Sequence, residues 1–276
     1  MTDPLDRRGF LTTSLIAGFT LATARAEGPA IHTDAAGLEA SETRVPVQDG
    51  SLPAYLARPA GAGPFPIVLV TEEIFGVHEY IKDVCRRLAK QGYLAIAAEY
   101  YARLGDLSKM TAIDQLLDVV ARAPDGRMMA DMDAVAAWAG RNHGDPARLG
   151  ITGFCRGGRQ TWLYATHNPR LKAAVAWYGP LDGKTTPIQP KAVLDLVGAL
   201  KCPVLGLYGG QDQSIPQAQI QRLKADARQD GKTVDIVVYQ DAGHGFHADY
   251  RPSYREADAK DGWERMLGWF RRYGVG

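Results

Sequence analysis

The chain has 276 residues, 46% of them hydrophobic and 23% charged, with a formal net charge of +1. Those values fit one globular domain with a sizeable core and give no electrostatic ground for a nucleic-acid partner. The three cysteines, Cys85, Cys155 and Cys202, form no C-x-x-C pair and no zinc-ligand spacing with histidine, so a zinc module is excluded.

Residues 1–26 read differently from the remainder. Arg7-Arg8 precede Gly9-Phe10-Leu11, an apolar stretch runs to about Ala22, and Ala24-Arg25-Ala26 supplies an A-x-A cleavage pattern. The arginine pair resembles a twin-arginine export signal, with cleavage expected near Ala26. The apolar stretch is short against the roughly 20 residues of a membrane span, so the mature protein is expected in the periplasm or secreted, without a membrane span. An oxidising compartment favours disulfides, and a thiol left free there needs burial or a function. Cys85, on a helical pattern, and Cys202, before a strand, read as buried structural thiols; a disulfide between them stays open without geometry.

Strands and helices then alternate. Extended patterns at 44–47 and 52–58 suggest an edge hairpin, and the β-branched run 67–71 suits a strand buried on both faces. Residues 77–91 have helical spacing and stop at Gly92; 93–98 form the next strand. Helices are expected over 108–121 and 127–141, separated by Pro124-Asp125-Gly126. Strand 148–153 leads into helix 157–166, followed by strands 173–178 and 204–208, helix 216–229, strand 234–239 and an amphipathic helix over 254–273. The pattern predicts a single α/β domain over 27–276, a mostly parallel sheet with helices on both faces. Ligands of such sheets sit beyond the carboxyl ends of the strands.

Strand 148–153 runs into Gly153-Phe154-Cys155-Arg156-Gly157. This is the nucleophile elbow G-x-S-x-G with sulfur in place of oxygen. The turn is sharp, so side chains two residues either side of the nucleophile would collide. The cysteine meets a helix N-terminus, whose positive potential favours thiolate. An elbow requires an acid and then a histidine further along the chain. Asp212 follows strand 204–208 and His244 follows strand 234–239, each just past a strand end. His244 would take the Cys155 proton and return it to the leaving group; Asp212 would hold the imidazole tautomer. His247, His143, His167 and Asp241 are rivals in less favourable positions.

These residues resemble the dienelactone hydrolases (carboxymethylenebutenolidase-like proteins), of the α/β-hydrolase fold. The likeness covers about 51–270. It rests on Glu72-Glu73-Ile74-Phe75-Gly76-Val77, on Tyr100-Tyr101-Ala102-Arg103, on Gly153-Phe154-Cys155-Arg156-Gly157-Gly158, and on Gly209-Gly210-Gln211-Asp212 with Ala242-Gly243-His244-Gly245-Phe246. The resemblance implies a hydrolase of lactones or small esters that works through a thioester, with no metal or cofactor. It implies that Glu73, rather than Glu72, contacts the resting thiol and helps activate it. It also implies an oxyanion hole made by the backbone N–H groups of Ile74 and Arg156. One departure stands out: the family's arginine four residues past the histidine is Ala248 here, with Arg251 the nearest alternative. Arg251, Trp177, Tyr178 and Arg103 are the candidate substrate contacts. The alternative reading is a non-catalytic periplasmic binding protein for a small molecule on the same scaffold.

Overall fold

Runs such as Leu94–Ala98, Ala173–Trp177 and Val204–Gly209 are buried at every residue, as strands covered on both faces must be. The computed structural model describes residues 31–276; the export segment expected over 1–26 lies outside the described residues. Eight strands form one sheet: β1 (Leu38–Val47), β2 (Gly50–Pro59), β3 (Phe65–Thr71), β4 (Leu94–Ala98), β5 (Gly144–Phe154), β6 (Ala173–Trp177), β7 (Val204–Gly209) and β8 (Val234–Tyr239). Their spatial order is β1-β2-β4-β3-β5-β6-β7-β8. β1 and β2 form the expected edge hairpin, and β2 runs antiparallel to β4. All pairings from β4 to β8 are parallel.

The helices are α1 (Glu79–Lys90), α2 (Ile113–Arg122), α3 (Asp125–Arg141), α4 (Arg156–His167), α5 (Gln217–Gln229) and α6 (Glu256–Arg272). The connections β3-α1-β4 and β4-α3-β5 step in opposite directions across the sheet. With right-handed crossovers this puts α1 and α3 on opposite faces. α3 packs against α4, and α6 shares the α1 face, where Phe270 meets Tyr93 edge-on at 6.1 Å.

Two helix starts differ from the sequence expectation. Residues 107–109 form a separate 3-10 turn, capped by the Asp106 carboxylate, and α2 begins only at Ile113. α3 begins at Asp125, directly after Pro124; Asp125 suits the positive helix N-terminus and makes a two-pronged pair with Arg159 at 2.7 and 2.8 Å. The three cysteines are all free and buried, so no Cys85–Cys202 disulfide forms. Burial pushes the Cys202 thiol up to about 12 and that of Cys85 higher still; both are inert core thiols.

Because β3, β5, β6, β7 and β8 are parallel, their carboxyl ends share one edge of the sheet. Glu73, Cys155, Tyr178, Asp212 and His244 each follow one of those ends within five residues. Among the described residues, no helix is long and apolar enough to cross a membrane.

Candidate active site

Cys155 sits between β5 and α4 with φ 54° and ψ −117°, a sparsely populated region for a residue with a side chain. Its amide donates to Trp177 O at 3.0 Å. The flanking glycines are sterically required. A Cβ on Gly153 would lie 1.9 Å from Thr71 Oγ1, and one on Gly157 would lie 2.2 Å from Thr71 O. Thr71, at the end of β3, clamps the elbow by donating to Gly157 O at 2.9 Å. The turn is thus braced by the strand that also delivers Glu73 and Ile74.

On the neighbouring strand ends, His244 Nδ1 and Asp212 Oδ2 are 2.7 Å apart, with side chains 10% and 1% exposed. Ser214 N donates to the other Asp212 oxygen at 2.9 Å. Burial alone would raise the Asp212 carboxyl, but His244 and Ser214 outweigh it and hold it ionised. Burial works against a charged His244; the Asp212 carboxylate and then the neighbouring Cys155 side chain more than offset it, raising the imidazole to about 10. Cys155 is therefore next to the imidazole whose other nitrogen faces Asp212. Tyr178 packs its ring on His244 edge-on at 5.1 Å.

The backbone N–H groups of Ile74 and Arg156 have no acceptor among the described residues. Arg156 opens α4, so its N–H is one of the unpaired donors of a helix N-terminus. Arg156 is the chain neighbour of Cys155, and Ile74 follows the β3 end whose Thr71 clamps the elbow.

Glu73 is wholly buried, and its partners differ from the expectation. Its carboxylate accepts from Tyr250 Oη and pairs with Arg251 Nη2 at 3.1 Å, with His78 Nε2 at 3.6 Å, rather than hydrogen-bonding the Cys155 sulfur. Burial would raise this carboxyl, but Arg251 and then His78 and Tyr250 bring it down to about 2. Arg251 in turn interacts electrostatically with the Cys155 side chain, so Glu73 addresses the thiol's surroundings through the arginine. Gly245, at φ +76°, makes room for this: a Cβ there would lie 2.8 Å from Arg251 Nη1. Glu72, by contrast, points into the core, accepts from Tyr100 N at 3.1 Å and is driven up by burial and by Glu99.

Two candidate substrate contacts are corrected. Arg103 is occupied by Asp131, in two prongs at 2.6 and 3.0 Å, and by Asp49 at 2.7 Å; nothing in the sequence shows that these carboxylates converge on it. Trp177 is a core residue. It is fully buried, stacked on Phe154 at 5.6 Å, and its Nε1 donates to Thr152 Oγ1 at 3.1 Å. Among the rival histidines, His247 is buried against Tyr80 Oη at 2.7 Å, His143 faces Ala62 O, and His167 pairs with Asp133. Tyr250, His78 and Ser214 support the site and were not singled out by sequence, because a tyrosine or serine in a loop carries no periodic or motif signal. Among the described residues, no group of three or more His, Cys, Asp or Glu is arranged to hold a metal ion.

Comparison with known proteins adds the relationships. The model of the dienelactone hydrolase family matches residues 52–274. A Methylorubrum extorquens protein assigned as a carboxymethylenebutenolidase is 58% identical over 274 residues, covering 98% of this chain and 94% of the relative. An Escherichia coli K12 protein with the same assignment is 52% identical over 266 residues, covering 96% of this chain and 98% of its own length. The crystal structure of a Klebsiella pneumoniae protein assigned as a dienelactone hydrolase superposes with a TM-score of 0.84 at 55% identity, covering 86% of this chain and 99% of that one.

Proposed function

The chain belongs to the dienelactone hydrolase family, and we propose that it hydrolyses a carboxylic ester or lactone through Cys155, with His244 as general base and acid and Asp212 as its orienter. The observation that carries this reading is the 2.7 Å Asp212–His244 contact with the Cys155 thiol on the same imidazole. In the first step His244 takes the Cys155 proton and the sulfur attacks the carbonyl carbon. The carbonyl π electrons move to oxygen, which the Ile74 and Arg156 N–H groups receive. Collapse of that oxyanion breaks the ester C–O bond, and His244 protonates the departing oxygen. A thioester remains; in a lactone, the freed hydroxyl stays attached to the acyl chain. Water, deprotonated by His244, then attacks the thioester and releases the acid and the thiol. Glu73 and Arg251 keep a matched pair of charges beside the sulfur, so the thiol is held in a neutral electrostatic setting until substrate enters.

The lack of an arginine at Ala248 is the ground for a non-catalytic binding role. Arg251, paired with Glu73 at 3.1 Å, still supplies a guanidinium near that position, which favours the catalytic reading. By the same sequence argument that marks residues 1–26, this chemistry takes place outside the cytoplasm. The reading is tested by assaying a panel of lactones and aryl esters with the protein and with Cys155→Ala, while looking for an acyl adduct on Cys155 by intact mass. Equal turnover by the two proteins would sink it.

A further inference from the structure

A cavity of about 560 Å³ opens on the face of the sheet that carries α1 and α6, and none of Cys155, Asp212, His244 or Glu73 borders it. That volume is in the range of small-molecule pockets. The surface inside it is mainly apolar. Trp263 and Ala259 face it from α6, Tyr254 from the loop before α6, and Ile31 is an apolar residue left exposed at its edge. The cations around it are already paired: Arg87 with Asp83 and Asp249, Lys90 with Asp34 at 2.8 Å, and Lys260 with Glu256 at 2.6 Å. Glu264, at the mouth, is exposed, where water and salt screen its charge. A charged ligand would lose hydration here and find no free counter-ion.

One polar group in this wall is left over. His247 is 2% exposed, and its ring packs on Trp263 at 5.9 Å and on Trp177 at 4.5 Å. Burial, and then the Arg87 charge, hold the imidazole well below its ordinary range, so it is neutral. Its Nδ1 is taken by Tyr80 Oη at 2.7 Å. Its Nε2 has no hydrogen-bond partner among the described residues and is not sealed in the core, and the residue forms part of the cavity wall. The free ring nitrogen therefore belongs to the cavity. His247 is also the contact between this cavity and the elbow: its ring lies 5.2 Å from that of Phe154, the residue before Cys155.

We propose that this cavity is a second small-molecule site, separate from the catalytic one, for an uncharged aromatic compound bearing a hydroxyl group. The ligand's ring lies against the aromatic side chains of Trp263 and Tyr254. Its hydroxyl meets His247 Nε2, donating to it or accepting from it according to the imidazole tautomer. An apolar ligand without such a group would cover the nitrogen and leave it unmatched, which costs affinity. The site holds no nucleophile, so it binds its ligand without converting it, and it stands whether or not Cys155 is the nucleophile of the catalytic site.

The test titrates the full chain, labelled with nitrogen-15 in its histidine rings, with 2-naphthol and with 2-methylnaphthalene, two neutral probes of equal heavy-atom count. The His247 ring signals are assigned by their loss in His247→Phe. With 2-naphthol they are expected to shift with a Kd of about 100 µM, a modest yield for a ligand of this size. 2-Methylnaphthalene should bind about tenfold more weakly, the worth of one hydrogen bond. Trp263→Ala should weaken both probes by about tenfold or more. His247→Phe, which keeps an aromatic wall, should abolish the preference for the alcohol, read there by probe fluorescence. Should a variant fail to fold, the two probes on the wild-type protein still decide. No His247 shift with 2-naphthol at about 1 mM, a shift confined to the His244 ring, or equal affinity for the two probes each overturns the proposal.

Discussion

The Asp212 carboxylate and the Nδ1 atom of His244 lie 2.7 Å apart, almost closed off from solvent. Asp212 is held ionised and can only accept, so the imidazole must donate from Nδ1, and proton exchange with Cys155 and substrate is left to Nε2. Asp212→Asn removes the charge and permits the wrong tautomer. It should lower kcat by about 10²–10⁴-fold, the usual worth of a positioned acid–base group. It should also bring the His244 imidazole down from about 10, measured by NMR titration of a ring-labelled protein. An unchanged imidazole titration would mean that Asp212 does not govern it.

Glu73→Gln is expected to destabilise the protein by about 3 kcal/mol, because it leaves Arg251 buried without its counter-charge. The pH dependence has a definite sign. The Glu73 carboxyl lies at about 2 in the fold against an ordinary value of 4.5. Its contribution is therefore complete above about 4.5 and is lost as pH falls toward 2. Urea unfolding at pH 7, 4 and 3 should show a steeper acid decline for the wild type than for Glu73→Gln. Parallel curves would mean that the ion pair contributes nothing.

Gly157→Ala should cost about 3 kcal/mol or more, since the added methyl meets the β3 backbone at 2.2 Å, and backbone cannot yield as a side-chain tip can. Any folded fraction should label at Cys155 more slowly. Gly243→Ala is the contrast: nothing lies within 4 Å of its added Cβ, so the change in melting temperature should be small. Calorimetry of the two variants separates steric need from mere presence in a motif.

Export is tested by fusing residues 1–30 to a reporter and fractionating cells. Replacing both Arg7 and Arg8 by lysine should retain the reporter in the cytoplasm if the pair is read as a twin-arginine signal. Unaltered export would refute that reading.

What the sequence made legible was local. Cys155, Asp212 and His244 announce themselves because glycines crowd a tight turn and because each follows an apolar run that ends. The mostly parallel sheet follows from the same alternation, and strand 234–239 coincides with β8. Pairings between distant residues were hidden. The Tyr250–Glu73 bond joins residues 177 positions apart, and no period or motif encodes such a meeting. Arg103 stands in a family-like motif, yet its charge is absorbed by Asp49 and Asp131, which only the fold brings together. Trp177 follows the rule that an aromatic at a strand end borders a site, except that its side chain turns to the face packed by α6. There the ring is so close that a Cβ on Gly262 would lie 2.6 Å from it.

The residues that govern the thiol come from opposite ends of the chain. Cys155 and Glu73 leave the ribosome well before His244, Tyr250 and Arg251, which follow β8 in the chain. A growing or truncated chain therefore carries the sulfur without its base, and Glu73 without its cation. The electrostatic setting of Cys155 is therefore complete only once the final quarter of the polypeptide is in place, so a chain clipped before His244 keeps the elbow but loses its chemistry.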